Sequence, residues 1–349
     1  MSEIKRGYVR PLDIKQGCVD MSHGSGGRAM AQLIAELFAG AFANEYLGQN
    51  DDGAVLPAAA GRLVLSTDCH VVSPLFFPGG DIGSLSVHGT INDVAMMGAT
   101  PLYLTAGFIL EEGFPFADLK RIIDSMARAS KEAGVPVVAG DTKVVERGHG
   151  DGVFITTTGL GFLPEGVSLS GNRARAGDRI LVSGTLGDHG MAIMAQRESL
   201  GFSSPIISDT AALHGLVVAL MKSGADVRTL RDPTRGGLAT TLNEIAQQSG
   251  VGMMLQEPAL PINREVAAAC ELLGLDPLYV ANEGKLVAIV AGDDAERALA
   301  ALRAHPLGSR AAIIGTVHED SHHFVQMTTG FGGRRIVDWL TGEQLPRIC

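Results

Sequence analysis

The sequence predicts an α+β fold in two domains, and three observations carry that expectation. A chain of 349 residues with 46% hydrophobic content exceeds one ordinary core. Helix-type and strand-type segments run to about residue 163, and the pattern then restarts with a fresh strand at 179–187. Within each half, helices and strands do not alternate strictly and several strands adjoin directly, which favours separate α and β layers over a doubly wound parallel sheet.

In chain order, the glycine-rich stretch SHGSGGRAM opens directly into a helix over 28–42, where Met30, Leu33, Ile34, Leu37 and Phe38 fall at helical spacing. GRLVLSTDC reads as a short strand near whose end Asp68 sits, SLSVHGTINDVAMMGA as a helix rich in small residues, and PLYLTAGFIL as a buried strand. DLKRIIDSMARASKEAG is an amphipathic helix stopped by Gly134, and GVFITTTGLGFL is the strand that closes the first half. The domain boundary falls near 165–178. Beyond it come strand RILVSGTLG, helices at 214–224 and 235–250, strand VGMML, helix EVAAACELLG, strand KLVAIVAG, helix AERALAALRAH, and strands AAIIGTV and HFVQMT. The units drawn are a glycine-loop and helix segment 1–43, an N-terminal domain 44–165, a C-terminal α+β domain 170–332 and a tail 333–349. After an apolar anchor at Val337 to Leu340 the tail offers nothing to bury, and its last ten residues reach roughly 33 Å when extended, so a mobile tail is expected.

Composition narrows the partners. With 28 Lys+Arg against 38 Asp+Glu, a formal charge of -10 and no dense basic block, nucleic acid is not expected. Forty-five glycines without a collagen period imply tight loops over ligands. Cys18, Cys69, Cys270 and Cys349 show no C-x-x-C spacing, which reads as reduced thiols, the first three as small buried residues. The polar N-terminus is unlike a signal peptide, and no apolar run reaches the ~20 residues that span a bilayer, so a cytoplasmic protein off the membrane is expected. Cys349, as the last residue, is not in the prenylation position.

Several residues could carry chemistry. Asp51 and Asp52 in NDDGAVL, Asp68 in LSTD, Asp93 in INDVA, Asp141 in AGDT and Asp232 in RDPTRGG all sit at element ends. Any one alone is an ordinary loop residue, but together they can hold magnesium around a polyphosphate. A Walker A motif is absent. HGSGGR, from His23 to Arg28, is either a backbone cradle for phosphate at a helix start or a plain turn. Lys143 follows Asp141, and Glu283 stands beside Lys285, so each site offers a cation next to an acid. His322 and His323 adjoin on one expected strand, face opposite ways and make a poor metal pair.

HGSGG, NDDGAVLP, STD, INDVAMMGA, AGDTKVV, DPTRGGLA, ANEGK and the terminal PRIC together resemble one family over nearly the whole chain. It is the hydrogenase maturation carbamoyl dehydratase (HypE) family, within the aminoimidazole ribonucleotide synthetase (PurM-like) superfamily. The aspartate motifs are shared with selenophosphate synthetase and thiamine-monophosphate kinase, whereas PRIC with HGSGG is specific to this member. The resemblance implies a two-domain PurM-like α+β fold, a homodimer through a β-barrel of N-terminal domains, an α/β sandwich C-terminal domain, and ATP with Mg2+ in a cleft near the interface. It implies that Cys349 receives a carbamoyl group from the carbamoyltransferase HypF, that ATP-dependent dehydration turns it into a thiocyanate, and that the cyanide passes to iron on the HypC–HypD scaffold. By the same resemblance Glu283 accepts a proton and Lys143 is its charge partner. Asp52, Asp68, Asp93, Asp141 and Asp232 are the implied metal ligands, and His23, Gly24, Ser25, Gly26, Gly27, Asp51, Asn92, Gly140 and Thr142 complete the nucleotide contacts. Two other readings stay open: a phosphoryl-transfer enzyme acting on a free small molecule, and an ATP-binding scaffold whose tail docks without covalent chemistry.

Overall fold

The structure, a computed structural model, describes residues 11–25, 27–47, 53–57, 61–197, 206–341, 345 and 347–349. In the first half, α1 (Arg28–Leu33) runs into a π-helical turn (Ile34–Ala39), and β1 (Arg62–His70) precedes a small hairpin of β2 (Phe76–Phe77) and β3 (Gly80–Asp81). Then follow α2 (Ile82–Met96), β4 (Thr100–Glu111), α3 (Phe116–Ala133), β5 (Val137–Val145) and β6 (Val153–Leu163). These strands form a four-stranded sheet in the order β1-β6-β4-β5, with only β4 and β5 parallel.

Local chemistry sets the helices. The Asp81 carboxylate accepts the Gly83 and Ser84 N–H groups while Ser84 Oγ accepts the Asp81 N–H, a reciprocal cap that starts α2. Almost every residue of α2 is buried, because it packs on the sheet, on α3 and on the second domain at once. Gly134, at φ 69°, ends α3 in the left-handed region. The helices cover one face of the sheet. The other face is bare within one chain, leaving Leu63 and Leu65 57% and 69% exposed beside Leu160 and Phe162. The sheet is open among the described strands, with β1 and β5 at its two ends.

The second half holds β7 (Arg179–Val182), α4 (Asp188–Arg197), α5 (His214–Lys222), β8 (Val227–Arg231), α6 (Gly237–Ser249), β9 (Gly252–Gln256) and α7 (Arg264–Leu273). It continues with β10 (Val287–Val290), α8 (Ala295–Arg303), β11 (Ala312–His318), β12 (Val325–Thr328) and β13 (Arg334–Ile336). Its seven strands are ordered β13-β12-β9-β11-β7-β10-β8. Period-two burial splits the strands between two cores: Ile180, Val182, Val287 and Ile289 pack with α6, while Leu181, Ala288 and Val290 pack with α5 and α8.

Several expectations change. The π turn interrupts the helix expected over 28–42, and its Leu37 and Phe38 join the core of the four-stranded sheet. β5, α4, β8 and β13 have no counterpart among the expected elements. β13 pairs with β12 and Val337 is buried in the second core, so the tail begins later than residue 333. Ile348 is 3% exposed and bridged to Val72, which corrects the expectation that the tail's end has nothing to bury. Cys18 and Cys69 are exposed, and only Cys270 of the three is a buried thiol. His323 has φ 57° in a turn before β12, so the two histidines do not share a strand. No helix among the described residues is long and apolar enough to cross a membrane.

Candidate active site

The site forms where the two halves meet. The end of β1 delivers Asp68 and His70, α2 delivers Asp93, the turn after β8 delivers Asp232 and Arg235, and the loop before β10 delivers Glu283. Asp93 Oδ2 accepts the Ser66 hydroxyl at 2.7 Å, and Asp68 Oδ1 accepts the Cys69 N–H at 2.8 Å. Glu283 is 3% exposed, and its Oε1 has no hydrogen-bond partner. Burial, then the carboxylates of Asp232, Asp209, Asp68 and Asp93, push its pKa well above the usual carboxylate range. Burial and Asp93 raise Asp232 to about 7, and burial raises Asp93 itself. Burial holds His70 below the usual histidine value. The cluster is short of positive charge.

Cys349 completes the site. Its thiol lies near Glu283, and burial followed by the Glu283 charge pushes its pKa up. The tail is held as an extra strand: Val71 N–H donates to the Cys349 oxygen at 3.0 Å and Ser73 N–H to the Arg347 oxygen at 3.1 Å. Arg197 donates to the Ser73 and Arg347 carbonyls, and Arg347 pairs with Asp151 at 3.3 Å.

Buried polar groups fix the Glu283 loop. Lys285 and Asp209 form a buried ion pair at 3.0 Å, and Asp209 Oδ1 accepts the Glu283 N–H at 3.1 Å. Despite burial, the Lys285 ammonium holds Asp209 below the usual carboxylate range. Asn282 donates to the Pro233 and Val280 carbonyls and accepts the Gly187 N–H. Asn92, expected as a nucleotide contact, commits its amide to the backbone instead, donating to the Ala211 and Glu283 carbonyls and accepting the Leu213 N–H. It positions Glu283.

The remaining expected residues lie elsewhere. Asp141 and Lys143 stand on edge strand β5, 64% and 63% exposed, and pair with each other at 3.0 Å. Within one chain Lys143 is therefore the charge partner of Asp141, not of Glu283. Gly140 and Thr142 line a cavity of about 340 Å³ with Phe38, Phe42, Tyr46 and Phe108, and the buried Thr142 Oγ1 has no partner. His23 is buried and its Nδ1 accepts the Asp20 N–H, a capping role; Gly24 lies so close to β5 that a Cβ would meet Val144 N at 2.7 Å. Ser25 Oγ donates to the Ser22 carbonyl, and Gly27 precedes α1. Gly26, Asp51 and Asp52 lie outside the described residues. Among the described residues, no three His, Cys, Asp or Glu side chains stand ready as a metal cage. The surplus of buried, proton-seeking carboxylates nevertheless fits a divalent cation that arrives with phosphate ligands.

Two family models span most of the chain: AIR synthase related protein, N-terminal domain, over residues 50–163, and AIR synthase related protein, C-terminal domain, over residues 175–328. Carbamoyl dehydratase HypE of Cupriavidus necator is 68% identical over 347 residues, covering 99% of each chain. The chain belongs to the carbamoyl dehydratase HypE family. HypE of Escherichia coli is 48% identical over 336 residues, 95% of this chain and 99% of its own. A crystal structure of HypE in complex with ATP matches at TM-score 0.91 and 51% identity, over 94% of this chain and 99% of that one. HypE in a HypE–HypF complex matches at TM-score 0.78 and 53% identity, over 88% of this chain and 99% of that one. The HypE family architecture is thus the two-domain PurM-like α+β fold described above. Sequence reasoning missed Asp209, His189, Ser208 and Asn282 in this HypE-family site, because each sits singly in a loop or short helix and acquires its role only through a distant partner. The one available signal was Lys285, whose buried charge requires an acid.

Proposed function

We propose that this chain is a cytoplasmic, ATP-dependent carbamoyl dehydratase acting on its own C-terminal residue. The observation that carries the reading is the Cys349 thiol docked against a buried Glu283 carboxyl whose Oε1 has no partner. A group carried on that sulfur sits beside a buried acid–base residue. In the reaction, the carbamoyl oxygen of S–C(=O)–NH2 takes the γ-phosphoryl of ATP, and ADP leaves. The C–O bond then breaks, phosphate departs with that oxygen, and both N–H protons are lost, leaving S–C≡N, ADP, phosphate and a proton. Hydroxide is a poor leaving group and phosphate a good one, which is why ATP is needed. Glu283 accepts the N–H protons, and its raised pKa makes it a stronger base than an ordinary carboxylate. Asp68, Asp93, Asp141 and Asp232 would hold Mg2+, which supplies charge that neutralises the phosphates and returns Glu283 toward its working range.

The separation of Lys143 from Glu283 points to a homodimer. In the four-stranded sheet β1 and β5 are the two end strands. Closing two such sheets around a two-fold axis sets β5 of one copy beside β1 of the other and buries Leu63 and Leu65 inside a barrel. Lys143 and Asp141 of one copy then face Asp68 and Glu283 of the second, so each site draws on both chains. The Thr142 cavity joins the same cleft as part of the nucleotide site.

The tail works as a carrier. Carbamoyl transfer from HypF, and delivery of cyanide to iron on HypC–HypD, need Cys349 outside the cleft, so the last residues undock and return in each cycle. The HypE–HypF complex of a relative supports the first partner. The test is to incubate the protein with HypF, carbamoyl phosphate and Mg·ATP and to weigh the C-terminal peptide. A carbamoyl increment on Cys349 that loses one water as ATP is consumed is expected, and Cys349→Ala should carry neither mass. ATP consumption with Cys349 unmodified would instead indicate a free small-molecule substrate.

A further inference from the structure

His189 is fully buried in α4, and its Nε2 lies 2.7 Å from the carbonyl oxygen of Ile348, 159 residues away. Its Nδ1 lies 2.7 Å from Ser208 Oγ. A carbonyl only accepts, so Nε2 carries the proton, and in a neutral ring Nδ1 must accept the Ser208 hydroxyl. Burial pushes the ring's pKa down, which favours that neutral form, against the Asp209 charge and the Ile348 carbonyl, which raise it. Ser208 is itself fixed, its Oγ accepting the Thr210 N–H at 3.1 Å and its N–H donating to the Pro78 carbonyl at 2.8 Å. Phe77 meets the imidazole edge-on at 5.4 Å between centroids. The ring therefore has one tautomer and one orientation.

The backbone explains why the tail needs this partner. Arg347 and Cys349 turn their carbonyls toward β1's extension and accept from Ser73 and Val71. In a strand the carbonyl between them points the opposite way, into the protein, where no ladder bond reaches it. His189 supplies that donor. An aliphatic side chain would suit the surrounding Phe77, Ile193 and Ile348 better if packing alone mattered.

We propose that His189, oriented by Ser208, is a positioning residue that locks the Ile348–Cys349 peptide so that the substituted sulfur stays at Glu283 during dehydration. The proposal rests on the carrier reading above. It adds one buried side-chain N–H to the Val71, Ser73 and Arg197 donors that already hold the tail.

The test compares wild type, His189→Phe, which keeps a ring without a donor, and His189→Gln, which returns an N–H near the Nε2 position. The first readout is the rate of Cys349 alkylation by iodoacetamide, followed by peptide mass, with the exposed Cys69 as internal control. His189→Phe should raise Cys349 alkylation about tenfold, the effect of one such hydrogen bond, and His189→Gln should recover most of the protection. The second readout separates loading from dehydration. After loading by HypF, single-turnover dehydration should be about tenfold slower in His189→Phe and partly restored in His189→Gln, with the loading step not slowed. Unchanged alkylation, equal slowing of loading and dehydration, or no recovery in His189→Gln would overturn the proposal. If His189→Phe fails to fold, Ser208→Ala takes its place and should act in the same direction, about two- to threefold. A wild-type Cys349 that never carries a carbamoyl group sinks the carrier reading yet leaves the alkylation comparison standing, so the two failures are distinguishable.

Discussion

At Glu283 and Asp232 the protein holds acids whose burial and neighbouring carboxylates outweigh the nearby positive charge. Asp232 titrates near 3.8 when unfolded and about 7 in the fold, so the folded state binds its proton more tightly. Its contribution to stability is therefore full below pH 3.8 and is lost as pH rises through about 7, and the raised Glu283 acts in the same direction. Without nucleotide and metal, wild-type thermal stability should fall across that interval, and Asp232→Asn should flatten the decline and melt higher than wild type at pH 8. Differential scanning fluorimetry from pH 4.5 to 8 decides; a wild-type curve that rises with pH would refute it. Glu283→Gln keeps the shape and removes the base, so dehydration should drop about 100-fold or more, with no loss of melting temperature at pH 8.

The loop before β10 shows how an element is built around one close approach. A Cβ on Gly284 would sit 1.7 Å from the Asp209 carbonyl oxygen. Gly284→Ala must push Asp209 away from both Lys285 and the Glu283 N–H, a cost of about 1–3 kcal/mol or more. Urea denaturation should show that loss, accompanied by reduced dehydration, and full stability in this variant would mean the loop adapts freely. α2 plays the complementary part: its Asp81 cap fixes the start of the helix, so Asn92 and Asp93 arrive at the domain junction in register, one bonded to the Glu283 carbonyl and the other facing Asp232.

For the whole molecule, the proposed dimer divides the chemistry between copies, which a mixing experiment can read. Lys143→Ala and Glu283→Gln each damage a different half of every site. Mixed dimers should regain one intact site, so two inactive variants exchanged together should recover about a quarter of wild-type activity if subunits pair at random. No recovery despite mass-verified mixed dimers would place Lys143 and Glu283 in separate functions. Substituting Leu65→Asp on the bare sheet face should yield monomers by sedimentation and remove activity together with assembly, since a charge there disfavours sheet closure.

By itself the sequence determined the acidic and glycine motifs and most helices and strands, which follow from local spacing and residue type; Glu283 and Cys349 were singled out by the family resemblance. β5 escaped because the polar run Gly140 to Lys143 hides its alternation, and α4 because His189 and Asp188 sit among small residues with no clear apolar stripe. Only the tertiary structure decided that Ile348 buries itself at Val72 and His189, that Lys285 meets Asp209 across 76 residues, and that Lys143 stays apart from Glu283 within one chain. Periodicity reports a residue's neighbours along a helix or strand; a buried partner far along the chain is chosen by packing and by the cost of leaving a polar group unpaired, which no local pattern records.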